Sequence, residues 1–146
     1  MYFCVGECTF RPQGRKGAPA GIGDRVVKCD IETGRKGEDI ALEWLLGRGF
    51  LLLERNWRWG HKEIDLIVES ERFLHIVEVK TLLQDICQEP QMRIDAIKIR
   101  NLAVAAGHYA RLMRVEKEIC FDVVAVKLYA DPPQVEYIPE AFYPIF

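Results

Sequence analysis

The sequence predicts an α/β domain, a mixed central sheet flanked by helices in the order α-β-β-β-α-β-β. Three observations predict it. Two stretches, 33–47 and 95–113, repeat their apolar residues at helical spacing. Between them lie three apolar or alternating runs joined by short polar connections, the pattern of antiparallel hairpins. After the second helical stretch comes the most apolar run of the chain, ICFDVVAVKLY, then Asp131-Pro132-Pro133 and a short QVEYI. At 146 residues and 49% hydrophobic content the chain suits one domain with one core. Its apolar runs are too short to span a membrane.

Taken in order, residues 1–32 read as a weakly ordered N-terminal extension. Gly6, Gly14, Gly17, Gly21 and Gly23, with Pro12 and Pro19, interrupt any period. The ordered domain is expected over 33–146, opening at Thr33 as N-cap of a helix that Gly47 or Gly49 ends. On that helix Asp39 and Glu43 share a polar face, whereas Glu38 falls between Leu42 and Leu45 on the apolar side. A carboxylate on a buried stripe needs a reason.

Phe50 to Trp57 reads as a strand, followed by a turn at Arg58-Trp59-Gly60-His61. Lys62 to Glu69 alternates, with Ile64, Leu66 and Val68 on one face and Glu63, Asp65, Ile67 and Glu69 on the other. ESER at 69–72 makes a tight connection to a strand from Arg72 to Lys80. There Phe73, His75, Val77 and Val79 share one face; Leu74, Ile76, Glu78 and Lys80 share the other. Residues 81–92, with Pro90, read as an irregular loop. The second helix, Asp95 to Met113, carries Ile97, Leu102, Ala105, Ala106, Tyr109 and Met113, and the apolar strand 119–129 is placed centrally.

The chemistry centres on Asp65 and, thirteen residues on, Glu78-Val79-Lys80. A lone Glu-x-Lys is common, and as a solvated ion pair it contributes only about 0–1 kcal/mol. Here it shares a face with Leu74 and Ile76, and a short connection sets Asp65 beside it. Glu38 sits on the face of the helix that must pack on this sheet. Two carboxylates about 5 Å apart repel by roughly 3 kcal/mol at an effective dielectric near 20. Lys80 alone does not offset three. A divalent cation does, and Mg²⁺ characteristically takes one or two carboxylates plus waters and a phosphate. The bland alternative is a solvated hairpin edge.

These residues resemble a known family. GRKGEDIALEWLLGRGF, LLERNWRWGHKEIDLIV, LHIVEVKT, the Lys98-bearing helix, FDVVAV and EAFYP resemble, in order over about 34–146, the bacterial YraN family. That family is similar to Holliday junction resolvases within the PD-(D/E)xK restriction-endonuclease-like superfamily. The resemblance implies a restriction-endonuclease-like fold with Asp65, Glu78 and Lys80 as metal and catalytic positions and Glu38 as the helix-borne acid. It implies a Mg²⁺-dependent (or Mn²⁺-dependent) endonuclease acting on DNA phosphodiesters, at branched structures such as Holliday junctions, in repair or recombination. By analogy with resolvases on two-fold junctions it implies a homodimer. The chain departs from the family pattern at Leu82, where Arg commonly follows the Thr.

Net charge is −2 with a pI near 5.9, so binding to nucleic acid must use a local patch. From Arg93 to Arg114 five bases (Arg93, Lys98, Arg100, Arg111, Arg114) face one acid, Asp95. Lys98 and Arg100 are the helix contacts proposed from this count; Arg58, Trp59 and Lys62 are those of the turn, where aromatics interleave with bases. Trp57 is assigned to the core, and RNA stays open beside DNA. His75 is read as a structural histidine and Asp122 as a buried hydrogen-bond acceptor. The linear sequence shows neither a Ser-His-Asp pattern nor a phosphate-binding glycine loop. Cys4, Cys8, Cys29, Cys87 and Cys120 lack a C-x-x-C pairing and read as free thiols in the cytoplasm. The competing reading is a non-catalytic nucleic-acid-binding or scaffold protein on the same fold.

Overall fold

The structure, a computed structural model, describes residues 31–84 and 94–144. Expectations for the N-terminal extension, for Cys4, Cys8, Cys29 and Cys87, for Pro90 and for Arg93 lie outside these residues. The elements are α1 (Ile31–Leu46), β1 (Leu51–Trp59), β2 (Lys62–Glu69), β3 (Phe73–Leu82), α2 (Ala96–Met113), β4 (Glu118–Lys127) and β5 (Gln134–Ile138). They form one mixed sheet in the order β1-β2-β3-β4-β5. Every neighbouring pair is antiparallel except β3 and β4, which run parallel and are joined through α2. The fold class is the expected one, with β3 rather than the more apolar β4 at the centre. No helix among the described residues is long and apolar enough to cross a membrane.

The two helices cover opposite faces of the sheet. Ala41 and Leu45 of α1 pack with Leu66, Val68, Val77, Val79, Val124 and Val126. Leu102, Ala105, Ala106 and Tyr109 of α2 pack with Ile67, Leu74, Ile76 and Phe121. Residues two apart along a strand share a face, so Glu78 and Lys80 follow Leu74 and Ile76 onto the α2 side. His75 joins Val77 and Val79 on the α1 side.

Several element ends differ from the sequence reading, each for a local reason. Helix α1 already runs from Ile31, so Thr33 lies in its first turn rather than capping it. Its C-terminus closes with Phe50 N–H donating to Leu45 O (3.2 Å) and Gly49 N–H to Leu46 O (3.0 Å). Gly49 supplies the left-handed φ of 87° that this closure requires. Strand β1 extends through Arg58 and Trp59 because Trp59 pairs with Lys62, leaving only Gly60 and His61 as the turn. A bulge between Leu52 and Glu54 and a left-handed Asn56 (φ 51°) add local twist to this hairpin. The twist carries its tip toward α2: Trp57 meets Tyr109 edge-on at 5.3 Å, and Ile64 packs with the α2-side cluster rather than with Leu66 and Val68. Helix α2 starts one residue after its expected first position, with Asp95 as N-cap accepting from the N–H groups of Ile97 and Lys98.

Candidate active site

The backbone ladder between β2 and β3 ends at the pair Leu66↔Val77. One step beyond it, Asp65 and Glu78 face each other across the strands. There Asp65 Oδ2 accepts the N–H of Val79 at 2.9 Å, so a side chain takes over where the ladder stops. Both carboxylates are buried, and Lys80, next on the same face, is buried as well. The α2 face therefore holds the Asp65, Glu78 and Lys80 constellation that the sequence predicts.

The structure adds Lys98. From the first turn of α2 its Nζ reaches to 2.9 Å from Glu78 Oε2, with Glu78 1% and Lys98 6% exposed. This buried ion pair is the contact that Glu78 Oε2 makes. Lys98, expected from the sequence as a nucleic-acid contact, is instead turned inward. It stands on the buried stripe with Leu102, Ala105 and Tyr109.

Glu38 is buried as expected, yet its partners come from β1. Its Oε2 accepts from Arg55 Nη2 (3.2 Å) and Asn56 Nδ2 (3.2 Å), and Arg55 also reaches Asp39 at 2.7 Å. Asn56 makes this contact from its left-handed backbone, a conformation Asn tolerates better than most residues. The expected convergence of three carboxylates is not seen: among the described residues no three His, Cys, Asp or Glu side chains are grouped to hold a metal ion. Helix α1 nevertheless lies very close to the end of β3. A Cβ on Gly37 would stand 1.9 Å from Thr81 Oγ1, so only glycine permits this approach.

Burial, and after it the nearby Glu78, push the Asp65 carboxyl well above the ordinary carboxylate range. Burial likewise raises Glu78 against the pull of Lys98 and Lys80. Burial lowers the Lys80 ammonium, with Glu78 opposing and Lys98 assisting. Two carboxylates and two ammonium groups are thus crowded in a dry site that disfavours charge. An adjacent pair of buried carboxylates, with one oxygen held only by an ammonium, fits the donor set of a hard divalent cation.

The nucleic-acid candidates separate. Trp59 is 45% exposed and stacks on His108 at 4.0 Å with 22° between the rings. Lys62 and Arg100 line one surface cavity with Ile97, Asn101 and Val104. Arg58 is exposed and paired with Glu63 at 3.2 Å. Trp59, Lys62 and Arg100 therefore flank the outer side of α2 where the hairpin tip meets it, and Lys98 lies on the inner side.

On the opposite face the structure assembles a Ser-His-Asp chain that the linear sequence does not display. His75 Nδ1 lies 2.6 Å from Asp122 Oδ2, and Ser70 Oγ lies 2.9 Å from His75 Nε2. With Nδ1–H donating to Asp122, Nε2 accepts from the Ser70 hydroxyl. Asp122 also accepts from Tyr137 Oη (2.8 Å) and from Glu140 N–H (2.9 Å). The Ser70 oxygen is itself held in its turn by Phe73 N–H at 3.3 Å. His75, read as structural, and Asp122, read as a buried acceptor, are thus partners of one another, a pairing that the linear sequence does not show.

The family model described as Uncharacterised protein family UPF0102 matches residues 37–126. A UPF0102 protein of Bacteroides thetaiotaomicron is 36% identical over 113 residues, covering 77% of this chain and 93% of the relative. One from Parabacteroides distasonis is 35% identical over 112 residues, with 77% and 93% covered. Another from Thermodesulfovibrio yellowstonii is 34% identical over 113 residues, with 77% and 97% covered. The span matched by the family model contains Glu38, Asp65, Glu78, Lys80 and Lys98.

Proposed function

This chain belongs to the UPF0102 family, which is the YraN family of the sequence resemblance, and we propose that it is a metal-dependent endonuclease hydrolysing DNA phosphodiesters, with branched DNA as its preferred form. The observation that carries this reading is the buried Asp65–Glu78 pair beside Lys80 at the point where β2 and β3 part. Asp65 and Glu78 would hold Mg²⁺, or Mn²⁺ in its place. When bound, such an ion polarises the phosphodiester and makes its bound water more acidic. Lys80, lowered by burial, stabilises the charge that develops on the phosphoryl oxygens or orients the attacking water. Lys62 and Arg100 offer cations for flanking phosphates. Trp59, backed by His108, offers a face on which an unpaired base can stack, which favours branched or single-stranded regions over plain duplex. Action as a homodimer in DNA repair or recombination belongs to the same reading.

One arrangement favours a second reading, a nucleic-acid-binding protein without catalysis: Glu38 is committed to Arg55 and Asn56, and Lys98 stands on Glu78. A cleavage assay separates the two, using labelled duplex, single-stranded, flap and four-way-junction DNA with Mg²⁺, Mn²⁺ or EDTA. The nuclease cuts a branched substrate only with metal, and Glu78→Gln lowers that rate at least about a thousand-fold while retaining DNA affinity. Binding of the same DNAs without metal-dependent cutting by either protein would establish the second reading.

A further inference from the structure

Lys98 is held in a place that a surface-binding lysine would not occupy. Its position in α2, four residues before Leu102 and eleven before Tyr109, sets it on the stripe that packs into the sheet. Its ammonium approaches Glu78 Oε2 to 2.9 Å, with both side chains almost wholly buried. The lysine therefore supplies the positive charge nearest to Glu78. With Asp65, Glu78, Lys80 and Lys98 all ionised, the group sums to zero charge without any metal. A dication added to that set would meet an ammonium already seated against one of its two carboxylates.

We propose that Lys98 is a built-in counter-cation occupying the metal position of the Asp65–Glu78 pair, competing with a divalent ion for Glu78 and yielding it when the ion binds. The proposal rests on the reading of Asp65 and Glu78 as metal ligands. Lysine suits the task because its charge is compact and its four-carbon stem is flexible. Arg100 and Asn101, on the same stretch of α2, line the cavity at the outer side of the helix. An ammonium released from Glu78 at the first turn of α2 has this phosphate-accepting surface as its neighbour. Metal loading then transfers Glu78 Oε2 from the ammonium to the ion and leaves the Lys98 charge at the first turn of α2. Lys98 in this account is a positioning residue whose charge sets the affinity for metal.

The test is Mn²⁺ binding to the full chain by titration calorimetry, comparing the natural protein with Lys98→Met and Glu78→Gln. Removing the competing charge should tighten Mn²⁺ binding at least ten-fold in Lys98→Met, and Glu78→Gln should abolish it. A Lys98→Met protein that binds Mn²⁺ no more tightly than the natural one overturns the competition and leaves the metal site standing. Absence of binding in both proteins overturns the metal site together with the proposal. A second measurement needs no variant: reductive methylation followed by peptide mass spectrometry should find Lys98 protected without metal and modified once Mg²⁺ is added. Equal protection with and without Mg²⁺, under conditions where calorimetry shows the ion bound, also overturns the exchange.

Discussion

The central strand β3 buries a polar network on each face, and the two are resolved in opposite ways. On the α1 side Asp122 accepts from His75, Tyr137 and the Glu140 N–H, and His75 in turn takes the Ser70 hydroxyl. On the α2 side Asp65, Glu78, Lys80 and Lys98 gather charge in a buried setting, with the Lys98 ammonium against Glu78 Oε2. Buried polar groups are costly unless satisfied. The first network meets that condition by giving Asp122 three partners, and it belongs to the core. The second meets it only by setting charge against charge, and carboxylates held above their ordinary range beside a depressed lysine make it the candidate site.

The contrast breaks first at Asp122. Asp122→Ala leaves the His75 ring, the Tyr137 hydroxyl and the Glu140 N–H without their acceptor, and should cost about 3–5 kcal/mol in urea denaturation. The same change should let the Tyr137 phenol titrate lower, since burial and then the bond to Asp122 hold it far above its ordinary value. Loss below about 1 kcal/mol would mean that this network is as dispensable as a surface pair.

Glu78→Gln should go the other way. Glu78 and Asp65 have folded-state values raised by burial, so the stability they allow is fully present below the ordinary carboxylate range and lost as pH rises through the raised values. The Gln variant carries no such loss at position 78. It should therefore gain on the natural protein as pH rises from 4 to 8 in metal-free buffer, read as a smaller fall in urea midpoint over that range. A variant less stable at pH 8 than the natural protein would show that the pair with Lys98 outweighs the desolvation of Glu78. The smallest expected effect belongs to Ser70→Ala: about 1 kcal/mol or less for one turn bond. Labelling by a fluorophosphonate probe, expected at neither the natural serine nor alanine, would overturn the structural assignment of the Ser70–His75–Asp122 chain if the natural protein reacted.

Much of this was legible in the chain. Strand alternation alone put Glu78 and Lys80 together and His75 opposite them, because the period of two leaves no other choice. The carboxylate on an apolar stripe marked Glu38, and the same signal was present for Lys98, in line with Leu102, Ala105 and Tyr109. The count of bases between Arg93 and Arg114 obscured it by treating the helix as a single charged surface. What stayed hidden depends on contacts across strands. That His75 meets Asp122 follows from the parallel pairing of β3 with β4, which no local pattern encodes. That Glu38 turns to Arg55 and Asn56 follows from a left-handed residue and a bulge in β1, where strict alternation would misplace the side chains.

The parallel pairing also governs when the site comes into being. Antiparallel β1, β2 and β3 are joined by short turns, whereas β3 meets β4 only after α2 has crossed between them, which brings together residues as far apart as His75 and Asp122, 47 positions along the chain. Loop closure of that length comes at the expense of entropy before any contact rewards it, so it falls late in folding. Asp65 and Glu78 can pair within the early meander, and Lys98 reaches them only as the crossover docks. The electrostatic tension of the finished site is then largely absent from the folding barrier and bears on the return path. Relief of it in Glu78→Gln should appear in stopped-flow traces as slower unfolding with refolding nearly unchanged.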